Sequence, residues 1–477
     1  MIFRFFRNAT FNIVAEFSNR ISNAIIFILI SKYLTVSQFG SYSLAMTYFT
    51  LGMLFSFWGF GNLLTREVAK EPSKFDKFFT NFLIMRFIFN IFAFLLIFVI
   101  ASLMNYSRET MVVIMIVFIG VFAESFKNLV YSVFNAREET HYVSIVFLFS
   151  SVLKLIFSYI LLRNDNGIIG LAWVNTIVNY LGVVGLVILM KIYLPPIKIN
   201  FDWEFTREQT KLAMPLFLIA IFSIAESRLD ILLLSGFYKE EIVGFYSAAL
   251  VLQSGLLIFP EGIRNAIFPI LSRSSIKNPI YASKIYSPLF KYITLVSMAI
   301  TTGSVVLASK LILTIYDNNF LDSVNIFRVL MFSYPFFSIA MLNIRLLNAY
   351  NKDSIIVMYY LIDLLITVIL SLIIMPIYGG LGAAYIKVLT TGILYFLFLI
   401  QIYKLLPKLK ISGILIRGII ASSILYTVLI FLRDMNLLLN IMVGFIIFTV
   451  SLALMNTFGK EEIFYLKSIL NHRTHLI

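Results

Sequence analysis

The sequence predicts an all-α integral membrane protein of about 14 transmembrane helices, built as two pseudo-symmetric six-helix lobes followed by two C-terminal helices. Three observations predict it. The 477 residues are 60% hydrophobic and 13% charged, with a mean hydropathy of +0.93, whereas a soluble chain would be about a quarter charged. Apolar runs of roughly 20 residues, the length of a bilayer-crossing helix, recur throughout. The second half of the chain also repeats the first in order. Alternating β-type segments are few, which argues against a barrel. The absence of Cys excludes a disulfide framework and a thiolate metal site.

The apolar runs fall at roughly 10–32, 41–64, 79–104, 111–135, 142–162, 168–190, 212–235, 243–270, 287–309, 324–347, 355–376, 381–403, 412–432 and 436–456. The opening "MIFRFFRNATFNIVAEFSNR" has no short apolar core with a small-residue cleavage site, so it reads as leading into a retained helix. Polar connections reach only about 15–20 residues, too short for a soluble domain. Loop charge sets the orientation. Loops and termini on the N-terminal side carry 21 Lys and Arg. The other side carries six: Lys32, Arg108, Arg163, Lys239, Lys310 and Arg433. Lys and Arg collect in cytoplasmic loops, so both termini are expected in the cytoplasm.

The repeat is carried by four matches. "FGSYSLA" from Phe39 returns as "VGFYSAA" from Val243, and "FNAREE" from Phe134 as "LNAYNK" from Leu347. "GIIGLAWV" from Gly167 returns as "GGLGAAYI" from Gly379, and "LPPIKI" from Leu194 as "LPKLKI" from Leu406. Six helices separate the copies, so the lobes are parallel and related by an axis along the membrane normal. The expected domains are an N-lobe at 1–200, a C-lobe at 205–410, and two helices with a cytoplasmic tail at 411–477.

Eleven basic residues fall within the spans: Arg20, Arg86, Lys127, Lys154, Arg228, Arg264, Lys291, Arg328, Arg345, Lys387 and Arg417. Six acids join them: Glu16, Glu124, Glu226, Asp230, Glu261 and Asp363. Each costs roughly 2.5–3.5 kcal/mol at a helix centre, so such residues face the bundle interior or a water-filled cavity. Lys291, Arg328, Arg345 and Arg417 lie near span ends, where long side chains snorkel. Arg20 lies about 15 Å into its span at about 1.5 Å per residue. With Asn12, Glu16, Asn19 and Asn23 it forms one polar stripe at helical spacing. Glu16 and Arg20 suit an i,i+4 ion pair. The three Asn extend the face beyond what a pair needs, which favours a cavity wall.

The stretch "SIAESRLDILLLSG" sets Glu226, Arg228 and Asp230 within five residues of one another. On a helix Glu226 and Asp230 share a face with Ser223 and Ser227, and Arg228 points nearly opposite. Charge on both sides places this helix deep in the bundle. The repeat register pairs Ser223 with Asn19 and Ser227 with Asn23, so the first and seventh spans are expected to be equivalent walls of a central cavity. The alternative is a charge network knitting lobe to lobe. Glu124, Lys127, Asn128 and Tyr131 share a face of the fourth span, and Lys154 lies mid-span between Ser151 and Ser158. Glu261, Arg264 and Asn265 follow Pro260. Eleven bases against six acids favour an anionic ligand such as a phosphate or pyrophosphate headgroup.

No enzyme motif is found: His141, His472 and His475 lack metal-site spacing, and no phosphate-binding Gly-rich loop occurs. A non-enzyme without cofactor, metal or nucleic-acid partner is expected.

The chain resembles the polysaccharide transporters of the multidrug/oligosaccharidyl-lipid/polysaccharide exporter superfamily, which include Wzx-type O-antigen flippases. The likeness covers nearly the whole chain. It rests on "SKYLTVSQFGSYSLA", "GFGNLLTREVAK" and "LAMPLFLIAIFSIAESRLDILLLSGFYKEEIVGFYSAALVL". It implies movement of undecaprenyl-pyrophosphate-linked oligosaccharide units to the outer leaflet of a bacterial cytoplasmic membrane by alternating access, for surface polysaccharide synthesis. It implies headgroup contacts by Arg20, Arg228 and Arg264. The family often reads Asp-Arg in the seventh span, where this chain has "SRLD". From the residues and the resemblance together, the expected substrate-binding set is Arg20, Arg228, Arg264, Asn19, Asn23, Lys127 and Lys154. Glu16, Glu226, Asp230 and Glu124 are expected to couple transport to a proton or sodium gradient. Membrane lipids and the polysaccharide polymerase and chain-length machinery complete the expected partners. A multidrug/cation antiporter of the same superfamily is the alternative, with Glu16 as its first-lobe carboxylate. It usually has twelve spans. A membrane glycosyltransferase would want a large outer loop, and every outer loop here is short.

Overall fold

Away from water, a backbone amide can be satisfied only by its own helix or by a closed barrel. The long Phe-, Ile- and Leu-rich runs take the first course. The computed structural model describes residues 2–258, 260, 279–406 and 411–457, and among them there are sixteen α-helices and no strand. The helices are α1 (Ile2–Tyr33), α2 (Val36–Phe57), α3 (Phe60–Lys70), α4 (Phe75–Leu103), α5 (Arg108–Ala136), α6 (Thr140–Arg163), α7 (Gly167–Tyr193), α8 (Trp203–Phe237) and α9 (Glu240–Leu256). There follow α10 (Pro279–Val306), α11 (Ala308–Tyr316), α12 (Ser323–Met331), α13 (Ser333–Ala349), α14 (Asp353–Leu405), α15 (Ser412–Phe431) and α16 (Leu437–Leu454).

Ten of these segments are long and apolar enough to cross a membrane, or eleven with the bent pair α12–α13 counted as one span. The protein is therefore a multi-pass membrane protein. Local chemistry sets the breaks. Thr35 and Gln38 form a capping box that starts α2. Asn105, Glu138, Asp165 and Asn351 turn left-handed where helices end. The 53 residues of α14 would reach about 80 Å if straight. Instead the backbone breaks at Gly379 (φ 54°, ψ −131°), a conformation that suits glycine. Gln401 donates to the Tyr359 hydroxyl at 2.6 Å, and the Tyr359 and Phe398 rings lie 5.6 Å apart. Residues 42 apart in sequence touch, so α14 is a helical hairpin, its arms matching the apolar runs 355–376 and 381–403.

The described residues group into two compact units. One comprises Met1–Val251, Tyr316–Phe320 and Tyr360–Ala383; the other holds the rest. Within the first, α4, α5 and α7 bury two apolar layers. Phe78, Phe82, Leu129, Val133 and Leu186 belong to one, and Ala93, Ile97, Val117, Val121 and Ala172 to the other. Between them each helix carries polar residues at the same level: Arg86 and Asn90 on α4, Glu124 to Asn128 on α5, and Asn175 to Asn179 on α7. In the second unit, Leu295 of α10 packs with Leu425 and Leu429 of α15 and Phe448 of α16.

Candidate functional site

The polar level of the first unit is a connected belt. Lys127 is buried, and its Nζ pairs with Glu124 at 2.6 Å and donates to Asn179 Oδ1 of α7 at 2.9 Å. The same ammonium lies 5.5 Å from the Phe147 ring. Asn128 donates to Glu124 at 3.2 Å, and Lys154 of α6 lies within Coulomb range of Glu124 and Lys127. Lys154 donates to Asn23 Oδ1 of α1 at 3.0 Å, and Asn23 donates to Asn19 at 3.1 Å. Arg86 is also buried, its guanidinium donating to the Ser125 carbonyl at 2.7 Å, and Ser56 bonds Asn90. A buried cation in lipid needs such partners, and here four helices, α1, α5, α6 and α7, supply them.

The stripe on α1 divides in two. Asn12 donates to Thr140 at 3.1 Å and accepts from Ser144 at 2.5 Å, so with Asn23 it stitches α1 to α6. Glu16, Asn19 and Arg20 are exposed. Arg20 donates to Glu16 at 2.8 Å, with side-chain exposures of 40% and 61%. Tyr131 of α5 lies within Coulomb range of Glu16, which sets the pair beside the belt.

On α8, Asp230 is buried and accepts the Tyr246 hydroxyl of α9 at 2.6 Å and the Ile231 amide at 2.8 Å. Glu226 and Arg228 are half-buried; the first lies within Coulomb range of Tyr246, the second of Asp230. The structure thus brings Glu124, Lys127, Lys154, Asn23 and Asn19 into one network, with Glu16 and Arg20 at its edge. It gathers Glu226 and Asp230 around Tyr246, with Arg228 within Coulomb range of Asp230. Arg264, with Glu261 and Asn265, lies outside the described residues. The Ser223 side chain does too. At span ends, Arg328 reaches Asn325 and Ser309, and Arg417 reaches the Asn456 carbonyl.

Sequence reasoning missed Asn179 and Gly182. A Cβ on Gly182 would lie 3.1 Å from both Lys127 Cδ and Ser150 Oγ, so the glycine makes room for the buried lysine stem. The signal was present as Asn175, Thr176 and Asn179, one polar face on the apolar α7. Lys127→Met should leave Glu124 without its cation and destabilise the protein by about 3 kcal/mol. Glu124→Gln added to it should recover part of the loss. Thermal unfolding in detergent of both singles and the double measures this coupling.

The fold and the belt define a class: a multi-pass helical membrane protein with a polar, charge-bearing level inside its first unit. The polysaccharide biosynthesis protein family model matches residues 5–275, and the chain belongs to that family. No curated relative matches it at a significant level. Among solved structures, it is similar to the lipid II flippase MurJ in an inward closed conformation (TM-score 0.77, 18% identity, covering 97% of this chain and 100% of that one). It is also similar to an inward-facing multidrug resistance MATE family transporter (TM-score 0.69, 12% identity, 83% and 99% covered). A third is a superfamily transporter from Pyrococcus furiosus described as having a binding pocket of reversed polarity (TM-score 0.61, 13% identity, 86% and 96% covered).

Proposed function

We propose that this transporter flips an anionic lipid-linked oligosaccharide, carried on undecaprenyl pyrophosphate, from the inner to the outer leaflet of a bacterial cytoplasmic membrane. The product would feed O-antigen, capsule or exopolysaccharide synthesis, in association with the polymerase and chain-length machinery. The observation that carries the reading is the polar belt inside the helical unit, with the accessible Arg20 at its edge. Arg20, Lys127, Lys154 and Arg228 supply cations within the spans, and an arginine fork suits a pyrophosphate's paired oxygens. Membership of a polysaccharide biosynthesis family and the likeness to a lipid II flippase support a lipid-linked sugar as cargo.

In this reading the lobes 1–200 and 205–410 rock about the site, and Asn19, Asn23 and Arg264 complete the headgroup contacts. With fourteen spans, the loop charge bias would put both termini in the cytoplasm. Reporter fusions at Lys32 and Lys239 should read extracytoplasmic, and those at Lys198 and Lys408 cytoplasmic; inversion at any two overturns the topology. The functional test is complementation of flippase-null strains with known repeat units. Restored surface polysaccharide in at least one strain is expected. Restoration in none, together with drug hypersensitivity when the gene is deleted, would assign the chain to the antiporters instead.

A further inference from the structure

The two copies of the repeat touch each other through their matching glycines. Gly40 of "FGSYSLA" and Gly244 of "VGFYSAA" are 204 residues apart, as are Val36 and Glu240, the first residues of α2 and α9. A Cβ on Gly40 would run into the Glu240 carbonyl and sit 2.8 Å from the Gly244 amide. A Cβ on Gly244 would run into the Val36 carbonyl and sit 2.9 Å from the Val36 side chain. The contact is reciprocal, residue for residue. Two helices whose first turns lie against each other cross where neither glycine has a side chain, at a spacing only paired glycines permit.

A second set of bonds surrounds the crossing. The Glu240 carboxylate accepts from the Ser107 amide at 3.0 Å and the Thr110 hydroxyl at 2.8 Å. It thereby ties α9 to the N-terminus of α5, whose helix dipole favours a negative charge there. Thr110 bonds Ser41 of α2 at 2.8 Å. Deeper, the Tyr106 hydroxyl bridges Tyr48 of α2 at 3.1 Å and Ser235 of α8 at 2.7 Å. Phe39, Tyr316, Phe320 and Phe245 pack edge-on beside the glycines. Ser43, Thr47 and Tyr48, which follow Gly40 on α2, are all buried.

We infer that the Gly40–Gly244 crossing is the closed gate at the end of the transport route nearest Lys32 and Lys239, and that Glu240 is the latch holding α9 to α5 across it. The inference rests on the proposed carrier function but not on the identity of its cargo. A contact made of bare backbone closes to no leak and has no side chain to swing. Opening therefore requires α2 and α9 to separate as bodies, breaking the Glu240 and Tyr106 bonds together. A side chain at either glycine would hold the crossing apart.

The chain has no Cys, so a single reporter thiol is clean. With Ser43→Cys as reporter, a membrane-impermeant maleimide added outside spheroplasts should label the otherwise native chain slowly. Adding Gly40→Val or Gly244→Val should speed labelling about tenfold, as closed molecules shift to open. Glu240→Gln, which introduces no clash, should speed it a few-fold. Unchanged labelling in folded glycine variants overturns the gate, and unchanged labelling in Glu240→Gln overturns the latch. Should the valine variants fail to fold, Thr110→Cys with Glu240→Cys replaces them. Bridging that pair with a short bis-methanethiosulfonate, which forms a disulfide with each thiol and releases sulfinate, should stop transport until reduction, and transport that continues through the bridge overturns the gate. Labelling needs no substrate. A working gate with no complementation therefore sinks only the cargo, and complementation with unchanged labelling sinks only the gate.

Discussion

Replacing Arg20 with alanine is expected to abolish surface polysaccharide while leaving the protein in the membrane at its normal level. The second half of that expectation comes from exposure. Arg20 and Glu16 are 40% and 61% exposed along their side chains and are paired at i,i+4, an arrangement worth about 0.3–0.5 kcal/mol on a helix surface. A loss of that size from the pair would leave the fold in place. The first half comes from the cargo. A pyrophosphate crossing the bilayer gives up its hydration shell, and charge-assisted hydrogen bonds along the route replace it. Arg20→Lys keeps the charge and loses the planar fork, so partial export is expected if charge dominates. Quantitative blotting and surface-polysaccharide gels on the same cells separate the outcomes. Loss of protein together with loss of polysaccharide would make the pair a structural brace. Normal polysaccharide from Arg20→Ala would remove Arg20 from the route.

How much of this was legible follows from what periodicity can report. The α14 hairpin could be read, because "PIYGG" interrupts two apolar runs and Gly379 takes a conformation that suits glycine. The stripe on α1 could be read as well, since Asn12, Glu16, Asn19, Arg20 and Asn23 share a helical face. Which part of the stripe is bonded could not. Asn12 and Asn23 turn to α6 while Glu16 and Arg20 pair at an exposed position, and a helical wheel has no neighbour to distinguish them. The same limit hid the belt. Lys127 meets Asn179, and Arg86 meets the Ser125 carbonyl, through the packing of one helix on another. Gly40 and Gly244 marked the repeat in sequence, but their mutual contact exists only once α2 and α9 cross. On α8 the wheel set Arg228 nearly opposite Asp230, yet residues two apart stay within Coulomb range in a medium that screens weakly.

The remaining large effect concerns what resets the empty carrier. Glu226→Gln combined with Asp230→Asn is expected to preserve substrate binding in proteoliposomes and make transport insensitive to an imposed proton or sodium gradient. The two carboxylates lie about a turn apart on α8. Asp230 is buried against the hydroxyl of Tyr246, whose helix carries Gly244 at its start. A proton or sodium ion taken up between Glu226 and Asp230 would neutralise that face and weaken the hold of Asp230 on Tyr246. The balance would then tip between closed and open positions of α9. A ligand shifts such a balance only by its differential affinity for the two states. The amide substitutions match the carboxylates in size and abolish that differential. Tyr246→Phe separates the two parts of the argument. It should keep gradient dependence, because the carboxylates remain, while slowing the maximal rate, because the link from Asp230 to α9 is cut. If the double amide variant still follows the gradient, coupling resides elsewhere, and Asp230 serves only to hold α8 to α9.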